Sequence, residues 1–363
     1  MPTDGRVDRE VLRSAATFAA RHLDKAAAPA DHGDPRFPAE VFARAIEAGL
    51  DRLAVPEAAG GNGLDLATLC GVVQALSRAC AGHAAAIGVH AAALGALAEV
   101  AGGGPIKEIL DTGRPLGVAL PDPVTVAEFH AALELERSAG GDAIVTGGPV
   151  TVVNASPAGF VLAFAKTGAG VPVAVLLETG GDLPLERTLG LRAMPLASPA
   201  FDRRPAPASR VVAEGTKALD LHQALLRNIC LVSASAAAGV AGSVAEKALA
   251  YARDRRQGGR PIAGHSHLRG ILGRISAEAS GARGAAGHAA AEPGIATALA
   301  AMATVPRAAL RACTAAVQVL GGYGYMREYG LEKAMRDAAV LTLLPVSDAA
   351  AELLLAGHES TRL

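Results

Sequence analysis

The chain has 363 residues, a formal net charge of -1, and 51% hydrophobic but only 3% aromatic residues, with no tryptophan. That length buries roughly three quarters of the unfolded surface and accommodates two or three lobes. The near-neutral balance offers no broad basic surface for nucleic acid. Much of the apolar fraction is alanine, without the run of about 18 strongly apolar residues that reads as a membrane span.

The N-terminal stretch MPTDGRVDREVL is charged and lacks the apolar core of a secretory signal, so a soluble, cytoplasmic protein is expected. From Asp8 to about Pro115 the pattern is helical. Val11, Ala15, Phe18, Ala19 and Leu23 recur at helical spacing, as do Val41, Phe42, Ala45 and Leu50 after a start near Pro38. The glycine-rich segment VPEAAGGNGLD, Val55 to Asp65, reads as a turn, followed by alanine-rich helices near Leu66 to Arg78 and His83 to Val100.

Between about Leu116 and Glu214 the period shortens. The runs GDAIVTG, VTVVNA, GFVLAFAK, VPVAVLLE and SRVVAEG, bounded by Gly, Pro, Asn and Asp, predict strands. The proline-rich stretch from Ser198 to Ser209 is expected to be an edge loop. From Lys217 the chain is helical again, with predicted helices from Lys217 towards Arg253, Ser266 to His288, Ile295 to Leu320 and Arg327 to Ala339. The fold class expected is α+β, mainly α: an N-terminal helical domain over 1–115, a small central β domain over 116–214, and a C-terminal helical bundle over 215–363.

Cys70, Cys80, Cys230 and Cys313 sit singly in apolar helical stretches and read as small buried hydrophobes rather than disulfide or redox partners. His265 and His267 are the only close pair among ten histidines, and without nearby Cys or acidic partners they point to no metal site. His83, His90 and Arg227 are candidates to face a ligand cavity, with packing or solvation as the alternative.

Two stretches carry chemistry. In AAVQVLGGYGYMREYGLEKAMRDAAVLT, Ala315 to Thr342, a helix ends at Gly321, Gly322 and Gly324 and a second begins, so bare peptide N–H groups could approach a phosphate. A simple glycine-terminated helix explains the same residues. In DRRQGGRPI, Asp254 to Ile262, three arginines and a glutamine in a turn suit a pyrophosphate, and equally suit a basic helix end.

Together these stretches resemble the acyl-CoA dehydrogenase family over nearly the whole chain. The similarity rests on Val55 to Asp65, on Arg255 to Ile262, and on Ala316, Val317, Gln318, Gly321, Gly322, Gly324, Tyr325, Glu332, Arg336 and Asp337 at fixed spacing. The resemblance implies three domains ending in a four-helix bundle, a tetramer or other homo- or hetero-oligomer, and FAD as cofactor. It implies oxidation of the Cα–Cβ bond of an acyl thioester, carried on CoA or on a carrier protein, with electrons passed to a separate acceptor. It also assigns contacts with the flavin nucleotide, shared with a neighbouring subunit, to Arg255, Gln257, Gln318, Gly321 and Gly322.

The departures concern the chemistry. Asp337, Ala338 and Thr342 align with the family pattern, but the tripeptide that should carry the glutamate base reads Pro345, Val346 and Ser347. The alternative base position falls on Leu226, before Arg227. The flavin loop reads Leu120 to Glu128, with Pro121 where a hydroxyl is expected, and the aromatic strand that covers the flavin reads Thr151, Val152, Val153 and Asn154. The phenylalanine of the arginine turn is Gly258. Two classes of function are consistent with this bias: a flavoprotein with a relocated base, for which Asp348, Glu352 and Glu128 are candidates, and a non-catalytic subunit that completes the FAD site of a homologue. Other flavin chemistry, or a scaffold that only binds thioesters, is a third. In each, Leu343, Leu344 and Val346 are expected to line an apolar cavity.

Overall fold

The computed structural model describes residues 8–360, except 33–38, 121–130, 139–140, 156–158 and 180–182. Pro38, and the loop positions from Pro121 to Glu128, lie outside the described residues. The N-terminal part is helical. Asp8 caps α1 (Arg9–Phe18), its carboxylate accepting the N–H groups of Glu10 and Val11 at 2.9 and 3.3 Å. A wider π turn (Ala19–Leu23) leads into α2 (Asp24–His32), and α3 (Ala39–Glu47) follows. The glycine-rich turn then delivers Asp65 to the start of α4 (Leu66–Ser77), where it accepts the Thr68 N–H at 2.8 Å. Next come α5 (Ala81–Val100) and α6 (Gly104–Asp111).

The strands form one nine-stranded mixed sheet: β1 (Gly117–Ala119), β2 (Leu133–Arg137), β3 (Ala143–Gly147), β4 (Val152–Val153), β5 (Phe160–Thr167), β6 (Pro172–Glu178), β7 (Leu196–Ala197), β8 (Phe201–Ala206) and β9 (Val211–Glu214). The strand β5 runs parallel to β1 and β2 and antiparallel to β6, which in turn pairs with β9. Both faces of β5 are buried, and its alternation divides them. Val161, Ala163 and Ala165 enter a small core inside the sheet, whereas Phe160, Leu162 and Phe164 join the helical core. The stretch expected as an edge loop contains β8, a true strand at the end of the sheet order, where Pro205 is tolerated because an edge leaves one side of the backbone unpaired.

The 39-residue α7 (Thr216–Asp254) is the central helix and packs against α4, α5, α8 and α9. A two-stranded turn, β10 (Arg256–Gln257) and β11 (Arg260–Pro261), leads to α8 (Ser266–Ala291), then α9 (Ile295–Leu320) and the single turn α10 (Gly322–Tyr325). The helix expected from Arg327 to Ala339 is divided. Gly330 adopts a left-handed backbone (φ 66°) that ends a 3₁₀ turn at Arg327–Tyr329 and starts α11 (Leu331–Leu341). A further helix, α12 (Asp348–Ser360), closes the bundle on α9.

By length and hydropathy α5 and α7 could each cross a membrane, although neither contains a long run of strongly apolar residues. Their most apolar windows are 89% and 94% buried within the protein, as core helices are.

Candidate functional site

A small apolar cavity lies where α5, α7, β4 and the end of α11 meet. Ala85, Val89, Ile229, Met194, Leu341 and Leu344 form most of its wall, and Pro345 completes it. Ser233 on α7 supplies the only polar side chain among the described residues of the lining. Sequence reasoning missed Ser233, although it lies two helical turns beyond Leu226 on the same long helix. Leu226 itself packs into the core and does not reach this wall. Of the three residues expected to line such a cavity, Leu344 does so. Leu343 points outward, 58% exposed, and Val346 is buried in the helical core.

No carboxylate lines the cavity among the described residues. Asp348 and Glu352 stand one turn apart at the start of α12 and both hold the Arg307 guanidinium of α9, Asp348 at 2.5 Å from Arg307 Nε. That charge keeps the Asp348 carboxyl below its ordinary range, as expected of an ion-pair partner. Glu128 lies outside the described residues.

The histidines and Arg227 are engaged elsewhere. His90 accepts the Leu116 N–H at Nδ1 (2.8 Å) and stands edge-on to Phe42, and burial pushes its pKa down to about 3. Arg227 makes a two-pronged ion pair with Glu99. On the strand that should cover a flavin, Asn154 is buried and its amide donates to the carbonyl of Ala86 at 2.9 Å.

The other chemical stretches converge on the outer surface. The Arg255 guanidinium lies 5.9 Å from the centre of the Tyr323 ring, which joins the arginine turn to the glycine turn. Tyr323 also packs on Tyr251 and Tyr329, and Tyr325 is 80% exposed. Gln257, Gln318, Gly321 and Gly322 are all exposed on the same chain segments. A Cβ placed on Gly321 or Gly322 would meet nothing within 4 Å, so the turn is an open cradle near the Arg255 guanidinium. Its donors fit a dinucleotide phosphate and adenosine. Among the described residues, the cavity wall offers one hydroxyl and no aromatic side chain to a flavin ring. His265, whose Nε2 is 3.0 Å from the Gln257 carbonyl, stiffens the arginine turn, and no group of three or more metal-ligating side chains occurs among the described residues.

The remaining motif residues build the frame beneath. Arg336 pairs with Asp31 and Glu332, while Asp337 accepts the Leu191 N–H at 2.7 Å and the Lys333 ammonium at 2.5 Å. Leu191 and Met194 are cavity residues, so this network positions one wall.

Residues 7–103 match the family described as "Acyl-CoA dehydrogenase, N-terminal domain", and residues 221–345 match "Acyl-CoA dehydrogenase, C-terminal domain". The chain belongs to the acyl-CoA dehydrogenase family. Among its relatives, the probable acyl-CoA dehydrogenase YngJ of Bacillus subtilis (strain 168) is 28% identical over 335 residues, covering 86% of this chain and 88% of the relative. Butyryl-CoA dehydrogenase from Megasphaera elsdenii superposes with a TM-score of 0.88 at 21% identity, covering 99% of this chain and 98% of that one. The prolyl acyl carrier protein oxidase AnaB superposes with a TM-score of 0.84 at 17% identity, over 97% and 99%. At those identities the two structures show the acyl-CoA dehydrogenase fold, with its helical, β and helical layout.

Proposed function

We propose that this chain is a flavin-dependent acyl-thioester oxidoreductase acting at the Cα–Cβ bond, with no carboxylate base among the described residues of its cavity wall. The observation that carries the reading is the apolar cavity closed by Leu344 and Pro345, at the end of the helix that bears the family motif. FAD, when bound, supplies the hydride acceptor. Arg255 and Gln318, with the cradle at Gly321 and Gly322, would hold the nucleotide. The chain's own part is to bind and orient the acyl group. Leu341, Leu344 and Ile229 would exclude water from it, and the Ser233 hydroxyl would donate to the thioester carbonyl, polarising the Cα–H bond. The space inside the cavity is small, which favours a short acyl group. Either CoA or a carrier protein would serve as the thioester carrier, and a separate acceptor would reoxidise the flavin.

The lack of an acid among the described wall residues also favours a second reading, in which the chain is a non-catalytic subunit. It would offer its exposed cradle to the nucleotide of a catalytic homologue. One experiment separates the two: the visible absorbance of the purified protein with added FAD, followed under anaerobic conditions through a series of acyl thioesters. Flavin that binds and bleaches with a short thioester supports the first reading. A folded protein that takes up no FAD alone, yet raises FAD occupancy of a co-expressed homologue, supports the second and overturns the first.

A further inference from the structure

Away from this cavity, four titratable groups meet at the corner between α4 and α5. Cys80 is the N-cap residue of α5, so the positive end of a 20-residue helix lies beside its thiol. Its Sγ is 3.8 Å from the Lys333 ammonium, which in turn is 2.5 Å from Asp337 Oδ2. His83, one turn into α5, is fully buried next to the same sulfur. Burial alone would push the thiol up, but Lys333 and His83 outweigh it and bring Cys80 down to about 7. The other three cysteines provide the contrast. They are equally buried, lack a cation, and are pushed up by burial, Cys70 and Cys313 to about 12.

A second observation concerns access. A small cavity, open to solvent, is lined in part by Arg78, Ala79, Ala81, Lys247, Lys333 and Asp337. It borders Cys80 through both chain neighbours and through the ion partner of its thiol. Cys80 itself is only 1% exposed, and the Lys333 side chain that stands over it is 16% exposed. Access to the sulfur therefore requires that side chain to move, which disfavours a bulky reagent more than a small one.

We propose that Cys80 is a modification site, a thiol oxidised by small peroxides to a sulfenic acid under the control of Lys333. The Cys80 thiolate attacks one oxygen of hydrogen peroxide. The S–O bond forms as the O–O bond breaks, sulfur gives up two electrons, and the departing hydroxide takes a proton from the Lys333 ammonium to leave as water. Lys333 recovers its proton from solvent through the cavity, and Asp337 continues to hold it. Lys333 is thus a positioning residue that stabilises the thiolate and delivers a proton.

The test exposes the folded wild-type protein to hydrogen peroxide, removes the oxidant with catalase, unfolds the chain in dimedone, and reads each cysteine by peptide mass spectrometry. The expected result is dimedone on Cys80 at least about tenfold faster than on Cys70, Cys230 or Cys313, with a bulky maleimide showing no such preference in the folded state. Lys333→Met should slow the labelling of Cys80 about tenfold or more, and Lys333→Arg should restore most of it. Labelling of Cys80 no faster than that of the other cysteines, or none while the unfolded chain reacts at all four, overturns the proposal. That comparison is made within the wild-type chain and stands even where Lys333→Met fails to fold.

Discussion

Asp31 and Arg336, 305 residues apart in sequence, form a bidentate ion pair, with Arg336 Nη1 and Nη2 donating to the two Asp31 oxygens at 2.9 and 2.6 Å. The Asp31 side chain is 1% exposed and that of Arg336 15%, so the pair fastens α2 beneath α11 out of reach of water. Removing one partner of a buried pair strands the other. Asp31→Asn is expected to cost about 3 kcal/mol in urea unfolding at pH 7, the low end of the usual range because Glu332 still holds Arg336. Arg44→Ala, at an exposed pair with Glu47, should change stability by less than about 0.5 kcal/mol.

The same pair sets a pH signature. Burial pushes the Asp31 carboxyl up, but the hydrogen bonds and charge of Arg336 outweigh it and hold the group below its ordinary value. A carboxyl depressed in the folded state contributes stability that is fully present above its unfolded pKa, about 3.9, and lost as pH falls through the lower folded value. The gap between wild type and Asp31→Asn should therefore persist from pH 7 to about pH 4 and narrow below it. A gap that closes already between pH 7 and pH 5 would show that Asp31 is not held down in this way.

Where helices touch most closely, one methyl group decides stability. A Cβ on Gly239 of α7 would lie 2.1 Å from Ser77 Oγ and 2.3 Å from the Gln74 carbonyl of α4, one of them backbone. Gly281 of α8 has nothing within 4 Å of the same position. Gly239→Ala is expected to destabilise by about 1–3 kcal/mol through overpacking. Gly281→Ala should stabilise by about 0.4–1 kcal/mol by restricting the unfolded chain. Thermal unfolding of the two variants side by side measures both signs.

Much of the frame was legible because its signals are local. The bounds of α9 follow from apolar spacing between Gly294 and Gly321, and β5 and β6 follow from uninterrupted apolar runs. The strand β2 was not read, although Leu133 and Leu135 alternate with Glu134 and Glu136, because three of its five residues are charged. The helix α12 was read instead as a source of a catalytic base. Its two acids are i, i+4 neighbours that clamp Arg307, and Ser347 accepts the Ala350 N–H at 3.0 Å to start it. Pairings such as Asp31 with Arg336 and Cys80 with Lys333 join residues more than two hundred positions apart, and no spacing rule reports them. The same holds for Ser233, whose importance arises only from the apolar neighbours that other elements bring around it.

Arg255 and the glycine cradle provide a prediction for cofactor retention. The guanidinium rests on the exposed Tyr323 ring and makes no ion pair among those of the described residues, so its charge is available to a phosphate. A charge-assisted hydrogen bond contributes about 1.5–3 kcal/mol, and Arg255→Ala should weaken FAD binding by roughly 10- to 100-fold in a fluorescence titration. Gln318→Ala should have a smaller effect in the same direction. Full retention of FAD by Arg255→Ala would place the nucleotide elsewhere.

Pro345 offers a gain of function in place of a loss. It lines the apolar cavity with Leu341, Leu344 and Ile229, and the sequence resemblance places the family's glutamate at this position. A carboxyl placed there by Pro345→Glu would have few water contacts, and burial would push its pKa up towards neutrality, the range that suits a general base. Positioned bases contribute about 10² to 10⁴ in rate. In protein reconstituted with FAD, Pro345→Glu should accelerate anaerobic bleaching by a short acyl thioester by about 10² or more, with the gain growing as pH rises through the new group's pKa. Pro345→Gln, of similar size but without a titrating group, should show no such gain. Equal rates for the two variants would mean that proton removal at this wall does not limit the reaction, and would shift weight to the non-catalytic subunit.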